Sequence, residues 1–112
     1  MDSLSEPTQW DYEVTVRYKL MPEYGCSPVW KLSDGPAENV PISELPLSTN
    51  LRESIKQWDD IFQATFKSNN PADSGFGDLK AGGEFLGVGE SLVEEIRREL
   101  PGVDIEYCRI DV

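Results

Sequence analysis

Histidine is absent from this sequence. With it go the commonest general base, the Ser/His and Cys/His nucleophile arrangements, and most zinc and haem sites. Cysteine occurs only at Cys26 and Cys108, far apart and without a CxxC pair, so metal-site spacing is missing and both thiols are expected to be buried and reduced. Basic residues are few, ten against twenty-one acidic ones, and the formal net charge is −11. Such a chain repels a phosphate backbone and an anionic leaflet, which argues against direct nucleic-acid or membrane partners. No apolar run approaches the ~20 residues a spanning helix needs, and Met1 to Trp10 lack the positive and apolar regions of a signal peptide. A cytoplasmic protein without a cofactor is the expectation.

What remains is enough for one core. The apolar fraction is 38%, with three Trp, four Tyr and four Phe, which highly charged disordered chains usually lack. At 112 residues a second core has no room, so residues 10–112 are expected to form a single domain behind a flexible tail, residues 1–9. Two readings fit the charge. The acids either keep the protein in solution or complement a cationic protein, such as a nuclease that must itself attract a polyanion.

Tyr12, Val14, Val16, Tyr18 and Leu20 alternate with polar residues, the period of a strand with one buried face. Turn residues Pro22 to Gly25 lead into a second strand, Cys26 to Leu32, which Pro28 places at an edge because proline cannot donate to a central ladder. Residues 33–45 form a connection carrying Asp34-Gly35-Pro36 and Pro41. Ser48 is a suitable N-cap, and Leu51, Ile55, Trp58, Phe62 and Phe66 form one stripe of a helix to about residue 67. Residues 68–83, rich in glycine and turn formers, predict a long loop.

A second helix is expected from about Glu84, with Phe85, Val88, Leu92, Ile96 and Leu100 on one face and Pro101-Gly102 as its stop. Gly87 and Gly89 mark either close packing or a late helix start. Val103, Ile105 and Tyr107 then predict a final strand. The expected architecture is α+β, in the order β-β-α-α-β. A three-stranded, mainly antiparallel sheet has its first strand at the centre and two helices packed on one face.

Few residues offer chemistry. Asp59 and Asp60 are a candidate carboxylate pair, although with twenty-one acids some close pair arises by chance. Gly75-Phe76-Gly77 and Gly82-Gly83 follow no predicted strand and lack a P-loop lysine, and Cys26 has no local cation to activate it. The acids suit binding better. Glu94 pairs with Arg97 or Arg98 one turn on, whereas Glu95 and Glu99 stand four apart as like charges. Asp104 and Glu106 project from the last strand opposite Val103 and Ile105, and together the four acids are expected to make one negative surface. Lys56 meets Asp60 or Glu53 and leaves Asp59 less compensated. Trp10, Tyr24 and Trp30 are candidate aromatic anchors beside them, with core burial an equal alternative for Trp30.

Tyr24-Gly25-Cys26-Ser27-Pro28-Val29-Trp30, Leu45-Pro46-Leu47-Ser48 with Leu51 and Trp58, Pro71-Ala72-Asp73-Ser74-Gly75-Phe76, and Phe85, Gly89, Leu92, Arg98-Glu99-Leu100 and Tyr107 span nearly the whole chain. This pattern resembles a family of small bacterial proteins similar to immunity proteins of contact-dependent growth inhibition and other polymorphic toxin systems. Val29 stands where that family commonly has leucine. The resemblance implies a protein that binds and neutralises a cognate toxin domain, and it carries no catalytic residues. With the acidic composition, it points to a basic, nuclease-type partner met by Asp59, Asp60, Glu95, Glu99, Asp104, Glu106, Tyr24 and Trp30. A small enzyme using carboxylates and an acidic adaptor are the alternatives. The enzyme requires a concave pocket where two acids converge.

Overall fold

A computed structural model describes residues 16–110. The expected tail at residues 1–9, Trp10 and the strand positions 12–15 lie outside the described residues. Two antiparallel strands open the fold, β1 (Arg17–Leu20) and β2 (Val29–Leu32), followed by a third, β3 (Glu38–Val40). Helices α1 (Thr49–Gln63) and α2 (Leu79–Glu99) come next, and β4 (Asp104–Tyr107) ends the order.

The sheet has four strands in the order β3-β2-β1-β4, with β1 antiparallel to β2 and parallel to β4. Strand β1 therefore sits between β2 and the last strand, as the sequence predicts. The three-stranded expectation is corrected by β3, which occupies part of the segment taken as a connection. Its three residues carry no alternation to detect, and side-chain bonding holds them: Asn39 accepts from the Ser27 N–H at 3.0 Å and donates to the Ser27 carbonyl at 2.8 Å. Because β3 pairs with β2, β2 is not an edge strand. Pro28 precedes β2, where its missing N–H breaks no ladder, and its carbonyl accepts from Met21 N–H at 2.7 Å.

Ser48 caps α1 as predicted, its hydroxyl accepting from the Leu51 N–H at 3.2 Å. The helix ends at Gln63, so Phe66 lies beyond it and is exposed. Helix α2 begins at Leu79, five residues earlier than expected, with Asp78 as its N-cap. The cap and the apolar periodicity of the 21-residue helix outweigh Gly82 and Gly83, each costing roughly 1 kcal/mol relative to alanine. The predicted long loop contracts accordingly, and Pro71–Asp73 within it forms a single 3-10 turn.

Leu20, Val29 and Ile105 supply the sheet side of the core. Against them pack Leu51, Ile55, Trp58 and Phe62 of α1 and Phe85, Leu92, Val93 and Ile96 of α2. Each such side chain contributes on the order of 2 kcal/mol by leaving water. Trp58 is central: its ring stacks on Phe85 at 4.5 Å and its Nε1–H donates to the Phe85 carbonyl at 2.8 Å. Gly89 lies beneath that indole, so close that a Cβ there meets Trp58 Cζ2 at 2.7 Å. Close packing, rather than a late start, explains this glycine.

Candidate docking surfaces

The strand register decides which acids share a face. Leu20 and Val29 are opposite one another and buried, so Lys19 and its partner Trp30 point to the other, open side of the sheet. In β4 the same alternation buries Ile105 and sends Asp104 and Glu106 to that open side, beside Arg17 and Lys19 respectively. Cations are thus interleaved with these acids. Arg17 Nε lies 3.8 Å from Asp104 Oδ2, and the Lys19 ammonium stands 5.9 Å from the Trp30 ring centroid. Trp30 is half-buried, and its Nε1–H donates to the Met21 carbonyl at 3.0 Å.

Glu95 and Glu99 belong to α2, which packs against the opposite, apolar side of the sheet. The sheet therefore separates them from Asp104 and Glu106, and the four acids form two surfaces where one was expected. Glu99 accepts hydrogen bonds from the N–H and hydroxyl of Ser48, which hold its carboxyl below the usual range. Glu95 borders a groove between α1 and α2 and has no ion-pair or hydrogen-bond partner among the described residues.

Asp59 and Asp60 face a third region. A cleft between α1 and the turn ahead of β2 is lined by Gly25, Cys26, Lys56, Asp59, Asp60 and Gln63. Asp60 pairs with Lys56 at 2.9 Å, an exposed (i, i+4) pair of little energetic weight. Asp59 is only 8% exposed; burial pushes its carboxyl upward, and the amide of Gln63, 3.3 Å from its Oδ1, opposes that shift. Gln63 is the hub here. It accepts from the Gly25 N–H at 3.1 Å and donates to the Glu23 carbonyl at 3.0 Å, fastening the turn to the helix. Tyr24 reinforces the join by stacking on Phe62 at 4.3 Å and sharing a 2.6 Å hydrogen bond with Thr65. Its half-buried ring is an internal anchor before it is an external one.

Both cysteines are free, and both are half-buried where full burial was expected. The Cys108 thiol is pushed up by burial and by the Glu106 carboxylate 3.8 Å away. Among the described residues, no cluster of Cys, Asp and Glu has the arrangement to hold a metal ion, and no helix is long and apolar enough to cross a membrane.

Reasoning from the sequence missed the groove residues Ile61, Val88 and Glu84. Ile61 sits one position off the buried α1 stripe, and Val88 sits on the predicted α2 stripe yet is 48% exposed. An apolar residue beside the stripe was the available signal for Ile61.

Residues 16–109 match the model of a family described as Serratia CdiI immunity protein-like. No curated protein matches the chain.

Proposed function

The chain belongs to the Serratia CdiI immunity protein-like family, and we propose that it binds and neutralises a cognate bacterial toxin in the cytoplasm. The single observation that carries this reading is the family match across the whole described fold. The net charge of −11 supports the finer statement that the toxin is basic and of nuclease type. A protein that holds a polyanionic substrate presents a positive groove, and an acidic partner is steered into it and blocks it. Complex formation alone neutralises such a toxin. The protein itself acts without a cofactor and is not an enzyme.

Docking engages the acidic flanks of the molecule. Glu95, with no ion-pair partner among the described residues, and Glu106, on the open sheet face beside Lys19, are the carboxylates best placed to meet cations; Asp60 and Asp104 exchange exposed intramolecular pairs for them. Asp59, Glu99 and Tyr24 contribute chiefly by holding the docking surfaces in shape, since each is already engaged inside the fold.

One observation favours a second reading, a small carboxylate-dependent enzyme: Asp59, with its raised carboxyl, lines the same cleft as Asp60. The Gln63 latch is a sufficient structural reason for Asp59 to be there. Co-expression with the toxin domain encoded by the neighbouring gene separates the two. Immunity predicts restored growth and a 1:1 complex that weakens as salt rises. Restored growth without a complex, abolished by Asp59→Asn, speaks for the enzyme.

A further inference from the structure

In the groove between α1 and α2, exposed apolar side chains coincide with acidic ones that have no ion-pair partner among the described residues. It encloses about 520 Å³, with Trp58, Phe85 and Leu92 as its floor. Ile61 on one wall is 55% exposed and Val88 on the other 48%, although both border a groove whose floor is core. Neither side chain finishes its burial among the described residues.

The far wall has a definite spacing. Glu84, Val88, Ser91 and Glu95 follow one another at four, three and four residues, so they share one stripe of α2. Glu84 and Glu95 therefore stand about 16 Å apart along the axis, three turns, with the apolar contact between them. Among the described residues neither has an ion-pair partner, and no lysine or arginine lines the groove. An apolar trough with a free carboxylate at each end matches one kind of occupant.

We infer that this groove receives an amphipathic helix of the cognate toxin, about three turns long, whose apolar stripe is bracketed by lysine or arginine. The inference rests on the immunity reading and gives it a docking site. Helix-in-groove binding buries Ile61 and Val88 against the incoming stripe, and the two carboxylates set its register by pairing with its terminal cations. The opposite charge pattern, acids bracketing the stripe, is rejected at both ends.

The test is calorimetric titration with the toxin domain of the neighbouring gene, using wild type, Val88→Asp, the double variant Glu84→Lys/Glu95→Lys, and Glu38→Lys on β3 as a charge control. Val88 and both glutamates are exposed, so these variants are expected to fold, and circular dichroism checks that they do. The expected result is a Kd raised at least about 100-fold by Val88→Asp and about tenfold by the double reversal, with little change for Glu38→Lys. If wild type binds and both groove variants bind as tightly, the groove is overturned while the immunity reading stands. If wild type itself does not bind, the immunity reading falls and takes the groove with it. A wild type that elutes as a dimer without toxin, and becomes a monomer on Val88→Asp, assigns the groove to a second copy of the chain and overturns the toxin helix as its occupant.

Discussion

The carboxylate of Glu99, the last residue of α2, accepts two hydrogen bonds from Ser48: 2.7 Å from its backbone N–H and 2.6 Å from its hydroxyl. Ser48 in turn caps α1, so one residue ties the C-terminus of one helix to the N-terminus of the other. A negative charge at the start of α1 also complements the positive end of that helix.

Removing the hydroxyl takes away the α1 cap and one of the two bonds to Glu99, leaving the one from the backbone N–H. Ser48→Ala is expected to lower stability by about 1 kcal/mol in urea unfolding. Glu99→Gln is expected to lower the melting temperature at neutral pH. The sign of its pH dependence follows from the depressed carboxyl: the stabilisation is present above the ordinary glutamate value of 4.5 and is lost as pH falls through the lower folded one. Melting curves of wild type and Glu99→Gln therefore converge in acid. Curves that stay parallel at every pH contradict the Ser48 contact.

Asp59 behaves oppositely. Burial raises its carboxyl in the folded state, so its contribution is most favourable below the unfolded value of 3.8 and declines as pH rises through the folded one. Asp59→Asn keeps an acceptor for Gln63 and removes the buried charge. A melting temperature raised by about 2–5 °C at pH 7, with the gain vanishing near pH 3, is the expected outcome. A loss at pH 7 means that the carboxylate has a cationic partner in solution.

Gly89→Ala places a methyl 2.6 Å from Tyr107 Cζ and 2.7 Å from Trp58 Cζ2. The Tyr107 hydroxyl donates to the Leu86 carbonyl at 3.1 Å, and Trp58 is wedged on Phe85, so neither ring yields cheaply. The variant is expected to lose about 2–3 kcal/mol in urea unfolding, far outside the gain that alanine ordinarily brings inside a helix. Gly87→Ala, whose methyl meets nothing within 4 Å, is the control and is expected to stabilise.

Cys108 is expected to alkylate more slowly with iodoacetamide at pH 8 than an unfolded-peptide thiol, because burial and Glu106 both disfavour its thiolate. Glu106→Gln removes the second cause and is expected to speed the reaction. An unchanged rate leaves burial as the sole cause.

The helices were legible because their stripes are long: Leu51, Ile55, Trp58 and Phe62 are buried at the spacing that identified them. Strand β3 was not, since three residues carry no period and Asn39 holds them through Ser27, twelve positions away. The start of α2 was hidden by Gly82 and Gly83, although Asp78 was a readable cap. Of the candidate site, the acids and Tyr24 were visible as residue types. Their duties were not, because Glu99 finds its partner fifty-one residues away and Tyr24 finds Thr65 forty-one away.

By itself, then, the sequence determined an acidic α+β chain with two amphipathic helices, for periodicity and charge are local properties that no folding step alters. Tertiary structure alone decided which acids share a surface. A strand sends alternate side chains to opposite faces, so the pairing of β4 with β1 put Asp104 and Glu106 across the sheet from Glu95. It also decided that Ile61 and Val88 remain uncovered, since the distance between two helices is set by the side chains packed beneath them, here Trp58, Phe85 and Gly89.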